Sequence, residues 1–338
     1  MHFVFLVHGM GQPEPDWSKE AQRQIVKWYD RFGLGDLSER YRFVPVHYNK
    51  IFERMRVAHD NLGDALDGLD EDAVASAAAG SQTYTLIQKY GAADGLFYTH
   101  ALDVLQYRFS REVREQVHVP VRKQILDVLE KEPGRPRFSI IAHSLGTAVI
   151  HNAMQEWYNE DARRLSSLPI HTLAMVANVS RVLQLPIMKV FESNIRPGMQ
   201  KNGAVRRYLN VCNTYDPFCH VKPFLPNKNP HPDNWAQNFN FQNGAFVARK
   251  PEHIASLKAV HSLEGYFENP IVCEGLFRCL EVDAKIVKPG ALEKFHQEYL
   301  LETPPGQLQL IRQRLERAQA DRDIWGFIRI LKDFGDIL

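Results

Sequence analysis

The chain has 338 residues, 44% hydrophobic and 24% charged, a globular composition long enough for one large core or two modest ones. Lysine and arginine number 41 against 40 aspartates and glutamates, and the net charge of +1 removes any bulk attraction for nucleic acid. No run approaches the roughly 18 apolar residues of a membrane span, and the start of the chain lacks the basic, then long apolar, pattern of an export signal. A soluble, cytoplasmic protein is expected, although export without a signal leaves no such trace.

Phe3 to Val7 is a short apolar strand closed by His8-Gly9-Met10-Gly11. Trp17, Ala21, Ile25, Trp28 and Tyr29 place an amphipathic helix over residues 17–31. Arg42 to Tyr48 is a second strand, and Pro45 inside it predicts an edge position. Residues 51–110 hold no strand run; an acidic, alanine-rich stretch followed by scattered tyrosines marks a helical insertion. Val113, Val117, Val121, Ile125 and Leu129 recur at helical spacing, with Pro120 as a possible kink, and Pro133-Gly134 ends that helix.

Phe138 to Ala142 is a buried strand running straight into Ser144 and a helix over about residues 147–156. Thr172 to Ala177 and Tyr208 to Asn213 are further buried strands, the latter leading to Asp216-Pro217. Residues 218–247, rich in Pro and Asn, predict a long loop, and from about 281 the pattern is helical to the end. Strands alternating with helices predict an α/β fold: a mostly parallel central sheet with helices on both faces, plus the helical insertion and C-terminal extension. The domain division is 1–280, with the insertion at about 51–110, then 281–338.

Ala142-His143-Ser144-Leu145-Gly146 is the chemically informative segment. A strand-to-helix turn that lifts a serine out of a sheet is strained and crowded, so the positions two before and two after must be nearly free of side chain. Ala142 stands where G-x-S-x-G has its first glycine, and a methyl still fits. A serine hydroxyl needs a base to take its proton, an acid to orient that base, and N–H donors for the developing oxyanion. In this architecture acid and base follow in the order Ser, Asp, His on loops after later strands.

Asp216 ends the first later strand with an acid at its carboxyl end, and Pro217 biases it toward extended backbone; Asp233 in the Pro-rich stretch is the alternative. His261, 45 residues further on, precedes the helix-like Leu263-Glu264-Gly265-Tyr266-Phe267 and is the leading base, with His253 next and His220 and His231 less well placed. The oxyanion donors expected are the N–H groups of Leu145 and of Met10, where His8-Gly9 lets backbone approach closely. His143 adjoins Ser144 in the turn, so its ring is expected to point away from the base position; His151 reads as a satisfied interior or surface histidine.

The four cysteines, Cys212, Cys219, Cys273 and Cys279, are spaced for no zinc site and are expected reduced and mostly buried. No metal-binding, Gly-rich phosphate-loop or paired-carboxylate signature is present, so neither metal nor organic cofactor is expected.

Together FLVHGMG, FSIIAHSLGTAV, NTYDP and AVHSLEGYFENP resemble the α/β-hydrolase superfamily, in its lipase and esterase branch, over roughly residues 1–280. The resemblance implies a Ser144–His261–Asp216 triad with Met10 and Leu145 forming the oxyanion hole, supported by His8, Gly9, Ala142 and Gly146. It also implies a sheet lacking the first two superfamily strands, as in small lipases. A carboxylic ester hydrolase acting on a small-molecule or lipid ester is therefore expected. The alternatives are a phospholipase or lipid acyl hydrolase in peripheral contact with a membrane, and a non-catalytic hydrolase-fold binding module.

Overall fold

The computed structural model describes residues 1–10, 14–54, 103–134, 136–161, 167–184, 189–198, 203–213, 216, 218–224, 241–246, 261–281 and 294–295. Its centre is one parallel sheet of six strands: β1 (His2–Val7), β2 (Tyr41–Val46), β3 (Arg137–His143), β4 (Ile170–Val176), β5 (Val205–Asn213) and β6 (Phe241–Phe246). They lie side by side in the order β2-β1-β3-β4-β5-β6. The helices are α1 (Lys19–Arg31), α2 (Arg111–Leu129), α3 (Leu145–Glu160), the single turn α4 (Phe218–Val221), α5 (Leu263–Glu268) and α6 (Pro270–Leu280).

A parallel sheet covered on both sides needs strands that are apolar on both faces, and the central strands meet that need. Phe3, Phe5 and Val7 with Phe138, Ile140 and Ala142 point to one core, which they share with Val117 and Ile125 of α2 and Val149 and Ala153 of α3. Val4, Leu6 and Ile141 point to the opposite core, closed by Ile25 and Trp28 of α1, Tyr266 of α5 and Phe277 of α6. The chain leaves β1 through α1 toward β2 on one side, and leaves β3 through α3 toward β4 on the other. Right-handed crossovers in opposite directions put α1 and α3 on opposite faces, and the strand order reverses between β1 and β3. A crevice beyond the carboxyl ends of the strands at such a reversal is where open α/β sheets bind ligands.

Pro45 does sit in an edge strand, since β2 has only β1 as a neighbour. Pro120 leaves α2 continuous. The expectation of a loop through 218–247 is overturned by α4 and by β6, which pairs in parallel with β5 from Tyr208↔Phe241 to Asn213↔Phe246. The segment Phe241-Gln242-Asn243-Gly244-Ala245-Phe246 has neither an apolar run nor clean alternation. It is a strand because β5 offers it a backbone ladder at the sheet edge, where short polar strands are common.

The described ends of the insertion, 49–54 and 103–109, are helical, and 55–102 lie outside the described residues. In the C-terminal extension, Phe295 packs on Trp28 and Phe32 with ring centroids 5.6 and 5.5 Å away; most of the rest lies outside the described residues. No helix among the described residues is long and apolar enough to cross a membrane. The cysteines are free thiols, Cys212 half-buried in β5 and the other three buried.

Candidate active site

Because every strand runs the same way, the residues that follow β1, β3, β4 and β5 share one rim of the sheet. At that rim β3 ends and α3 begins within a single residue, Ser144, whose backbone sits at φ 51°, ψ −125°. Such a conformation costs about 1–3 kcal/mol in a non-glycine residue and persists only when its surroundings fix it. The surroundings here are specific. The Ser144 N–H donates to the Val176 carbonyl at 3.0 Å, and the Ser144 carbonyl accepts from the N–H and hydroxyl of Thr147 at 2.9 and 2.7 Å. A side chain on Gly146 would collide with the carbonyl oxygens of His8 and Val7, so this position must stay bare. Ala142 is fully buried beneath the turn.

The Ser144 hydroxyl lies 2.8 Å from Nε2 of His261, and Nδ1 of the same ring lies 2.7 Å from Oδ2 of Asp216. The carboxylate can only accept, so Nδ1 carries the proton and Nε2 is left to accept from the serine hydroxyl. Asp216 is fully buried. Burial alone would raise its pKa, but the His261 charge and hydrogen bond, the Tyr266 hydroxyl and the Phe218 N–H together hold it below the ordinary value. The Tyr266 hydroxyl donates to Oδ2 at 2.8 Å and accepts the Asn213 N–H at 3.0 Å, while the Phe218 N–H reaches Oδ1 at 3.0 Å. Ser262 caps α5 by accepting the Gly265 N–H at 3.1 Å, which fixes the helix carrying Tyr266 directly after His261.

Across the crevice the loop after β1 comes up against Ser144. A Cβ on Gly9 would stand 2.9 Å from Cβ and 3.5 Å from Oγ of Ser144, so only glycine fits. The Gly9 carbonyl is gripped from two sides, by Nδ1–H of His8 at 2.7 Å and by the Tyr48 hydroxyl at 3.0 Å. Tyr48 also donates to the His8 carbonyl at 2.7 Å, and its ring stacks on the His8 ring at 4.1 Å. In a trans peptide the C=O and N–H point opposite ways, so pinning the Gly9 carbonyl aims the Met10 N–H to the other side. Leu145 opens α3, so its N–H has no intrahelical acceptor and carries the positive end of the helix dipole.

Ser144, His261 and Asp216 are thus brought together as the sequence predicts, with Gly9 and Gly146 against the turn. Asp233, His231 and His253 lie outside the described residues, and so does the side chain of His220. His143 departs from expectation: its ring lies 4.9 Å from the His261 ring, and its Nε2–H donates to the His261 carbonyl at 2.5 Å. It is not the base, because that nitrogen is occupied; it holds the backbone of the base. Burial pushes the pKa of His143 and of His8 down to about 3, so both rings are neutral. His151 is buried and bonded to Asn152 and Ser193, the interior histidine expected.

Tyr266 and Tyr48 were missed by sequence reasoning. Tyr266 reads as part of a helix-like run and Tyr48 as the end of a strand, and only the tertiary contact shows where each hydroxyl goes. Comparisons with protein-family models, with curated proteins and with solved structures find no match.

Proposed function

We propose that this chain is a serine hydrolase that cleaves carboxylic esters through an acyl-enzyme. The observation that carries the reading is the unbroken relay from Ser144 Oγ through the His261 ring to the buried Asp216 carboxylate, at 2.8 and 2.7 Å. As Oγ attacks the ester carbonyl carbon, its proton passes to Nε2, and Asp216 stabilises the imidazolium that forms. The oxyanion falls between the N–H groups of Met10 and Leu145, one aimed by the Tyr48 and His8 clamp and the other by the start of α3. The imidazolium then protonates the departing alkoxide, and water repeats the sequence to release the acid.

The order of parts supports membership of the α/β-hydrolase fold. The serine follows β3, the acid follows β5 and the histidine comes after β6, with the glycine loop on the neighbouring β1. A binding module would have no use for a strained serine facing an imidazole backed by a buried carboxylate. Hydrolysis of a chain-length series of 4-nitrophenyl esters tests the reading. Turnover by the native chain, lost in Ser144→Ala with the fold retained, is expected; equal turnover by that variant overturns it.

A further inference from the structure

Two cations lie on the loops that follow β4 and β5, and a third stands within electrostatic reach of one of them. Arg181 lies in the loop after β4, Lys222 directly follows α4, and Arg108 belongs to the helical segment 103–109. That segment packs on α3 through the Tyr107 hydroxyl, which donates to the Ala148 carbonyl at 3.2 Å. Arg181 Nη1–H donates to the carbonyl of Pro223, the residue after Lys222, at 2.5 Å. Its guanidinium lies over the Phe191 ring, 5.1 Å from the centroid, and its Nε is buried with no hydrogen-bond partner among the described residues.

Both loops are tied to the active site. The Val179 N–H donates to Thr147 Oγ1 at 3.1 Å, and that hydroxyl donates to the Ser144 carbonyl at 2.7 Å. Phe218, which begins α4, lies 4.5 Å from the His261 ring. Arg181, Arg108 and Lys222 are all half-buried, and both arginines are within electrostatic reach of Lys222. Burial first, and then the two arginines, pulls the Lys222 ammonium below its usual range, while burial also lowers Arg181. Among the described residues no carboxylate pairs with any of the three. Half-buried like charges that no carboxylate pairs with are costly to a fold, and such an arrangement marks a candidate anion site.

We infer that Arg108, Arg181 and Lys222 receive an anionic group of the substrate, a phosphate or carboxylate carried on the ester beyond the scissile bond. The inference rests on the hydrolase reading for the ester and on the cation cluster for the charge. Arginine donates in a planar fork to either oxyanion, and lysine adds a point charge.

The test compares matched esters. One pair is a monoacylglycerol and the same molecule bearing a 3-phosphate; the other is 4-nitrophenyl butyrate and the mono-4-nitrophenyl ester of glutaric acid. The native chain is expected to favour the charged member by about tenfold or more in kcat/KM, the scale of one charge-assisted hydrogen bond. Arg181→Gln and Lys222→Gln should each lower that ratio toward one. The phosphate stands on the alcohol side of its ester and the glutaryl carboxylate on the acyl side, so a preference in one pair alone identifies which charged substrate the cluster takes, and equal rates in both pairs overturn the inference. A second readout needs no catalysis: glycerol 3-phosphate should raise the Tm of the native chain and fail to raise that of Lys222→Gln. If neither ester of either pair is cleaved, the hydrolase reading falls, while the Tm shift still decides the anion site. No shift in the native chain overturns it.

Discussion

The two ends of the sheet each hold a serine 2.8 Å from the Nε2 of a histidine, and only one of those histidines is backed by a carboxylate among the described residues. At the amino ends of the strands, His2 meets Ser139 inside regular β-structure, with His171 packed edge-on 4.9 Å away. No carboxylate backs His2 among the described residues, and Ser139 sits on a straight strand. At the carboxyl ends, His261 is backed by Asp216, Ser144 is held in a strained turn, and the Gly9 loop comes up against it. A serine–histidine hydrogen bond is therefore insufficient. Reactivity requires the acid that fixes the imidazole, the backbone that aims the oxygen, and donors preorganised for the charge that develops.

Substitutions can break this comparison, beginning where the effect is largest. Ser144→Ala should lower kcat for ester hydrolysis by on the order of 10⁴- to 10⁶-fold, whereas Ser139→Ala should leave it within about twofold. Steady-state kinetics on both variants decide the point, and similar losses in the two would erase the distinction between the ends. Gly9→Ala should cost about 10²-fold in kcat, because the added methyl presses on Ser144 and displaces the Met10 N–H. Tyr266→Phe removes one of the donors that hold Asp216 and should cost about tenfold in kcat with KM little changed, measurable on any ester the native chain turns over.

The last effect bears on stability rather than rate, and the two ends share it. Burial lowers the pKa of His2, His8 and His143 from 6.5 to about 3 and that of His171 to about 4. Below pH 6.5 the unfolded chain takes up protons that the folded chain refuses, so this stability is present above that value and drains away as pH falls toward the folded values. The slope is about 1.4 kcal/mol per pH unit for each such histidine. Urea unfolding between pH 7.5 and 5 should show the decline, and His2→Gln should make it shallower by about one histidine's share while leaving kcat near native. A flat profile would contradict the buried, neutral state of these rings.

Much of the site was legible in the sequence because its backbone demands leave marks. Ala142 and Gly146 around Ser144, the His8-Gly9 pair and Asp216 at the end of a strand are each forced by local geometry, so residue type and spacing report them. The parallel sheet was legible for the same reason, since strands covered on both faces must be apolar throughout. What could not be read depends on distant partners. The hydroxyl of Tyr266 matters because Asp216, 50 residues earlier, lies under it. His143 was expected to turn away because adjacency was judged along the chain, whereas the carbonyl it binds belongs to His261, 118 residues on. Strand β6 carried no pattern because its position depends on β5, and the cations converge only once β4, α4 and the 103–109 segment are packed.

The central claim is that the fold makes one particular serine reactive. Labelling the folded chain with a fluorophosphonate and mapping the adduct by mass spectrometry tests it most directly. The account predicts a single adduct on Ser144, absent from Ser139 and abolished in His261→Ala. A folded chain that takes up no label, or takes it up equally without His261, would contradict it.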